Sequence, residues 1–257
     1  MTAVVILPTY NERPNIDTIL RAVRTHVPDA WVAVVDDASP DGTAELAEKV
    51  GADLGQIHVI RRGGKDGLGA AYKTGFAWAL AEGFDVLVQM DADGSHDPTV
   101  LPRLLGAVEG PNGVECSVGS RYTPGGSIPR WTWQRRMLSR LGNGYASRWL
   151  RLPINDATSG FRAMTADLIR AIDFDHVRAE GYGFQIELAY RCKAAGARFV
   201  EVPISFNDRT EGESKMSSGI IVEALGLVTL WGARDRYQQL VRLVQRGLGR
   251  QRSTSPS

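Results

Sequence analysis

Asp91 and Asp93 flank a single alanine directly after the apolar run Val86–Met90. Two carboxylates this close repel each other unless a cation lies between them. Oxygen donors are what Mg²⁺ and Mn²⁺ prefer, and Mg²⁺ commonly takes one or two carboxylates together with substrate phosphates. A metal seated there would stabilise charge on a departing nucleoside diphosphate. An isolated Asp-x-Asp is a weak signal, and its competing reading is a solvated acidic turn capping the helix that starts near Pro98. The position at a strand end, with His96 and Asp97 beside it, favours the functional reading.

Asp36-Asp37 repeats the pattern after the run Trp31–Val35. A carboxylate there can accept hydrogen bonds from a ribose or a nucleobase edge. Asp41 or Ser39 can instead cap the helix that follows. Asp37 is assigned to ligand and Asp41 to structure. Gly63-Gly64-Lys65-Asp66-Gly67-Leu68-Gly69 invites a phosphate-loop reading. It lacks the Lys-Ser/Thr ending and does not follow the first strand, so it reads as a flexible turn with Lys65 near donor phosphate. His26 and His58 read as structural, and His96 at most supports the aspartates from behind.

These residues need a scaffold, and apolar periodicity supplies one. Val4–Leu7, Trp31–Val35, Ile57–Ile60, Val86–Met90 and Ser117–Gly119 read as strands. Ile16–Val27, Thr43–Val50, Leu68–Ala81 and Thr99–Val108 between them read as helices. That order implies an α/β fold, a mostly parallel central sheet with helices on both faces. Ligands of such sheets bind beyond the carboxyl ends of the strands. The polar segments from Pro8 to Glu12, Asp36 to Thr43, Arg61 to Gly69 and Asp91 to Pro98 all follow strands, so they gather at one edge.

The second half is less regular. Trp133–Leu150 reads as a basic helix, Asn155–Arg162 as a polar turn, Gly183–Ala195 as a helix, Phe199–Val202 as a strand and Thr210–Ser218 as a polar loop. Gly219–Ala233 is nearly all apolar and is followed by arginines at 234, 236, 242, 246, 250 and 252. The domain expectation is a catalytic unit over 1–215, an apolar and basic helical element over 216–250 facing a membrane or a partner, and a disordered tail over 251–257.

The 257 residues carry a formal net charge of +1, which implies no polyanion and no nucleic-acid partner. Cys116 and Cys192 read as reduced thiols of a cytosolic protein. The N-terminal run is too short for a signal peptide, and no apolar run reaches the roughly 20 residues of a spanning helix. A cytoplasmic, membrane-peripheral protein is expected. Gly219–Trp231 suits an anionic membrane interface or a core helix equally.

The motifs together resemble a known family. Pro8-Thr9-Tyr10-Asn11-Glu12, Val35–Thr43 and Met90–His96 are similar to family 2 glycosyltransferases with the GT-A fold. Gly119-Ser120-Arg121-Tyr122, Thr158-Ser159-Gly160-Phe161-Arg162 and Gly212-Glu213-Ser214-Lys215 look like the dolichol-phosphate or polyprenol-phosphate mannose synthases. The resemblance covers roughly Val4 to Leu230.

It implies an inverting transfer of mannose from GDP-mannose to a polyprenyl monophosphate, with Mg²⁺ or Mn²⁺ as cofactor. By resemblance, Pro8, Tyr10, Glu12 and Asp37 hold the nucleoside. Asp91 and Asp93 hold metal and diphosphate, and Ser95 stands where some relatives carry a glutamine ligand. Arg121, Arg135 and Ser139 grip the acceptor phosphate, while Arg209 and Lys215 contact the diphosphate. Asp156 takes an orienting role, such as holding an arginine or a sugar hydroxyl. Relatives occur with spanning helices or as separate catalytic chains, so an integral-membrane anchor protein is an expected partner. The rivals are a UDP-sugar donor, a non-catalytic nucleotide-binding scaffold and a dinucleotide-binding oxidoreductase, the last disfavoured because no Gly-x-Gly-x-x-Gly follows the first strand.

Such a reaction has a physical logic. The second pKa of a phosphate monoester is ~6, so the acceptor is already a nucleophile at neutral pH. The enzyme must bring two anions together rather than remove a proton, and arginines and a divalent cation do that. Arg130, Arg136 and Arg140 divide evenly between that duty and a solvated basic face. Arg121, directly after a strand, is the stronger assignment.

Overall fold

A computed structural model describes residues 1–110, 113–174, 177, 179, 181–206, 224–237, 239 and 241. Four short strands come first: β1 (Ala3–Thr9), β2 (Trp31–Asp36), β3 (Ile57–Arg61) and β4 (Val86–Gln89). They alternate with α1 (Arg13–His26), α2 (Thr43–Leu54) and α3 (Leu68–Ala81). A 3₁₀ turn (Pro98–Val100) leads into α4 (Leu101–Glu109) and then β5 (Cys116–Ser120). The remaining elements are α5 (Trp133–Leu150), β6 (Arg162–Thr165), α6 (Ala166–Ala171), α7 (Gly181–Ala194) and β7 (Phe199–Pro203). Residues 224–237 are helical.

The described strands form one sheet in the order β3-β2-β1-β4-β6-β5-β7. β6 runs antiparallel to both neighbours, and the other six strands share one direction. The strands are near-continuous apolar runs because both faces are covered. Side chains alternate accordingly. Val4, Ile6, Ala33, Val35 and Leu87 pack with α3, α6 and α7, while Val5, Leu7, Val32, Val34 and Val88 pack with α1, α2 and α4. α3 approaches the sheet closely at Gly75, where a Cβ would stand 2.6 Å from Ile6 Cγ2 and 3.1 Å from Val35 Cγ2.

The reversed strand determines where the second half of the site falls. Because β6 is antiparallel, its start lies at the same edge as the ends of β1, β2, β4 and β5. The segment leading into β6 therefore meets the segments leaving the other strands. The expected polar turn ends one residue inside this strand, which the periodicity did not predict.

The 224–237 helix lies against the core. Ala224 and Val228 are buried, while Leu225 and Leu230 are exposed. Tyr145 Oη and Thr229 Oγ1 are 2.7 Å apart, and the Trp149 indole donates to the Thr229 carbonyl. The Tyr190 hydroxyl donates to Asp235 at 2.5 Å.

Candidate active site

Six of the expected site residues leave the sheet edge directly or after a short turn. Pro8 is the penultimate residue of β1 with Tyr10 and Glu12 just beyond the strand, Asp37 follows β2, and Asp91 and Asp93 follow β4. The two members of Asp36-Asp37 divide their work. Asp36 faces inward and accepts from the Thr9 hydroxyl at 2.9 Å, the Ser39 amide at 2.9 Å and the Ser39 hydroxyl at 2.6 Å. It fastens the β2 exit to β1. Asp37 instead meets the Arg62 guanidinium from the β3 exit. Burial pushes the Asp37 carboxyl above its ordinary value, with Arg62 opposing.

Asp41 accepts from the Thr43 amide and hydroxyl and from the Arg13 amide, tying together the starts of α1 and α2. Lys65 lies with its ammonium 3.8 Å from the Tyr10 ring centre. Sequence reasoning considered Lys65 from this loop and missed Arg62, whose only signal was its place directly after a strand.

The Asp91 and Asp93 turn is folded tightly. The Asp91 amide donates to His96 Nδ1 at 3.0 Å, and the Asp93 carboxylate accepts the Ser95 amide at 3.0 Å. With Nδ1 accepting, a neutral His96 ring carries its proton on Nε2, which faces Asp91 Oδ2 at 4.0 Å. His96 also stacks on Phe161. Tyr72 from α3 donates to the Met90 carbonyl at 3.3 Å and reaches Asp91 Oδ1 at 3.5 Å. Burial first, then the Asp91 charge, pushes the Tyr72 phenol well up, so it stays neutral.

Oxygen donors dominate here, which suits a hard divalent cation. The Ser95 hydroxyl is buried and has no hydrogen-bond partner, so the donor set fits such an ion. Among the described residues no cluster of three or more His, Cys, Asp or Glu side chains could hold a metal. The protein would supply two carboxylates and a hydroxyl, and the substrate the remainder.

The other half of the site is built around Arg121, which leaves β5. Its Nε and Nη2 donate to Asp156 Oδ2 and Oδ1, both at 2.7 Å, and its amide donates to Oδ2 at 2.9 Å. Nη2 also reaches the Thr158 hydroxyl at 2.7 Å. Asp156 is fully buried. Burial alone would push its carboxyl up, but the charge and hydrogen bonds of Arg121 outweigh it and hold the carboxyl below its ordinary value. Rings of Tyr122, Trp131 and Phe206 surround the Arg121 guanidinium at 5.4, 5.6 and 5.2 Å.

α5 supplies the last two residues. Thr132 caps it by accepting from the Arg135 amide. Arg135 stacks over Trp131 at 3.9 Å, and Ser139 accepts from the Tyr122 hydroxyl at 2.6 Å. Ser139 on α5 is thus tied to Tyr122, the residue that follows Arg121. Arg209 and Lys215 lie outside the described residues. Tyr122 enters the sequence reading only as part of a motif, and Trp131 and Gln185 are given no role there. Buried polar and aromatic side chains inside helices and loops carry no periodic signature.

The family model described as Glycosyl transferase family 2 matches residues 4–173. An undecaprenyl-phosphate mannosyltransferase of Micrococcus luteus is 48% identical over 240 residues, spanning 93% of this chain and 98% of that protein. A polyprenol monophosphomannose synthase of Mycolicibacterium smegmatis is 47% identical over 233 residues, spanning 90% and 87%. The crystal structure of glucosyl-3-phosphoglycerate synthase from Mycobacterium tuberculosis with Mn²⁺, UDP-glucose and glycerol 3-phosphate superposes with TM-score 0.59 at 20% identity, over 89% of this chain and 76% of that one. That similarity establishes the shared fold. The sheet order, the matched length and the identity to these relatives converge: the chain is a GT-A glycosyltransferase and belongs to glycosyl transferase family 2.

Proposed function

We propose that this glycosyltransferase moves mannose from GDP-mannose onto the phosphate of a polyprenyl monophosphate, with inversion at the sugar carbon and with Mg²⁺ or Mn²⁺ as cofactor. The observation that carries the reading is the 48% identity, over nearly the whole of both chains, to an undecaprenyl-phosphate mannosyltransferase. The chemistry of the edge residues supports it.

Tyr10, Glu12, Asp37 and Arg62 take the nucleoside side of the donor, and Asp91 and Asp93 the diphosphate side. A bound divalent cation supplies neutralisation of the leaving diphosphate. Arg121, Arg135 and Ser139 draw the acceptor phosphate alongside, and Arg209 and Lys215 act on the diphosphate. Asp156 is engaged on both oxygens by Arg121. That engagement suits an orienting carboxylate and not a base, in keeping with an acceptor that is already ionised. The sugar carbon is attacked by the acceptor phosphate oxygen as the nucleoside diphosphate departs.

A membrane-peripheral location on the cytoplasmic face is part of the same reading. α5 leaves Trp133, Met137, Leu138 and Leu141 exposed beside its arginines, a pattern that suits an anionic interface. No helix among the described residues is long and apolar enough to cross a membrane, and a membrane anchor protein remains part of the proposal.

A donor panel tests the reaction. GDP-mannose, UDP-glucose and other sugar nucleotides are supplied with a short polyprenyl phosphate, with Mg²⁺, Mn²⁺ or chelator. Metal-dependent formation of polyprenyl-phosphate mannose from GDP-mannose alone is expected. Preference for a UDP-sugar overturns the donor, and transfer undiminished by chelator overturns the metal.

A further inference from the structure

α5 is one continuous helix, yet its two halves are held differently. No residue from 133 to 142 is buried. The buried residues of the helix are Asn143, Ala146 and Leu150, and all three lie in its second half. Tyr145 and Trp149 there pack on the core and hydrogen-bond to Thr229 of the 224–237 helix. The first half carries Arg135 and Ser139, which meet Trp131 and Tyr122 of the preceding segment.

The boundary between the halves is Gly142-Asn143-Gly144. A Cβ added at either glycine would meet nothing within 4 Å, and neither glycine has a positive φ. Neither packing nor backbone conformation therefore requires glycine at these two positions. A glycine inside a helix nevertheless weakens it relative to alanine, because it leaves the backbone more freedom to lose. Glycines are among the few features at which helices bend sharply. Asn143 between them is 2% exposed and firmly held. Its Nδ2 donates to the Thr158 hydroxyl at 3.1 Å, and its Oδ1 accepts from the Thr158 amide at 3.1 Å. The same Thr158 hydroxyl accepts from Arg121 Nη2 at 2.7 Å. The softest point of the helix is thus pinned beside the Arg121–Asp156 pair.

We infer that Gly142 and Gly144 are the pivot of α5 and Asn143 its pin, so that the first half swings outward to admit the polyprenyl phosphate and returns Arg135 and Ser139 onto it. Such hinges take up a backbone change in a few residues while the packed segments stay rigid. The Ser139–Tyr122 hydrogen bond and the Arg135–Trp131 stack open and are remade. The second half stays on the core, so Arg121 and Asp156 keep their geometry as the arm moves. Gly142, Asn143 and Gly144 are in this way positioning residues for the acceptor. The inference rests on the proposed acceptor role of Arg135 and Ser139.

The test compares the full chain with its Gly142→Ala/Gly144→Ala double variant. Amide hydrogen exchange, thermal unfolding, GDP-mannose affinity by calorimetry and transfer to a short polyprenyl phosphate are measured on both. In the parent, residues 133–141 are expected to exchange about tenfold faster than residues 145–150, and the variant should narrow that gap. The variant should unfold roughly 2–8 °C higher, as two helix-interior glycines become alanine. Its kcat should fall on the order of tenfold while GDP-mannose affinity stays within about twofold. An unchanged kcat in the stabilised variant overturns the pivot, as does equal exchange of the two halves in the parent. A lowered unfolding temperature, or a matching loss of donor affinity, assigns the glycines to packing and overturns it too. A parent that transfers no mannose overturns the proposed reaction instead, and the exchange and unfolding results still decide whether the helix pivots.

Discussion

Arg121 and Asp156 meet through two parallel hydrogen bonds of 2.7 Å, Nε to one carboxylate oxygen and Nη2 to the other, with both side chains almost entirely out of solvent. The Arg121 amide donates to the same carboxylate. The arrangement fixes the exit of β5 to the loop before β6. It also settles which arginine can be removed cleanly to test acceptor binding, because truncating Arg121 would strand a buried carboxylate.

Asp156→Asn should destabilise the protein by about 3–5 kcal/mol at neutral pH, the usual consequence of leaving one member of a buried pair uncompensated. Urea unfolding monitored by circular dichroism reads this directly. The pH sign follows from a carboxyl held below its ordinary value of 3.8. The stabilisation is complete above that value and is lost as pH falls through the lower folded one. The Asn variant should therefore show a shallower loss of stability on the acid side.

Arg135→Ala should raise the KM for polyprenyl phosphate on the order of tenfold, with donor KM nearly unchanged. Arg135→Lys should rescue little, since a lysine cannot reproduce the planar stacking on Trp131. Initial rates over a grid of both substrates separate the two constants. A rise confined to donor KM would remove Arg135 from the acceptor side.

Asp93→Ala should lower kcat/KM on the order of 10³-fold, the scale of several kcal/mol of charge stabilisation. Mn²⁺ should no longer strengthen donor binding in that variant. A Mn²⁺ titration followed by calorimetry, with and without GDP-mannose, checks the second outcome independently of turnover.

Asp37 gives a pH dependence of binding. Burial raises its carboxyl above the ordinary value of 3.8 against the opposing charge of Arg62. Protonation therefore begins at a higher pH than for a free aspartate, and nucleotide affinity should fall as pH drops through the raised value. Asp37→Asn should bind more weakly at neutral pH and lose that slope. Nucleoside diphosphate titrations across the acid range are the measurement.

Gly75→Ala places a methyl group against Ile6 and Val35 at closer than van der Waals distance. Overpacking of this kind should cost about 1–3 kcal/mol. Thermal unfolding of the variant measures how firmly α3 is seated.

Much of the scaffold was legible because its signals are local. α3 and α5 run over the spans that periodicity predicts, and strands β1 to β5 and β7 differ from expectation only at their ends. β6 escaped because Arg162-Ala163-Met164-Thr165 is short, carries a buried arginine and shows no alternation. The acidic residues of the site were legible from type and position after strands. Their partners were not, since the pairing of Arg62 with Asp37 depends on which strands become neighbours, and that is settled only by the sheet.

The reversal of β6 has an evolutionary consequence. In the proposed reading, Tyr10, Glu12, Asp37, Arg62, Asp91 and Asp93 on the donor side follow β1 to β4, whereas Arg121, Arg135 and Ser139 on the acceptor side lie in one excursion between β5 and β6, which leaves and re-enters the sheet side by side. That excursion can diverge, or be exchanged between kin, without disturbing the register of the nucleotide half. A single architecture can in this way keep one sugar supply while its lineages explore new recipients.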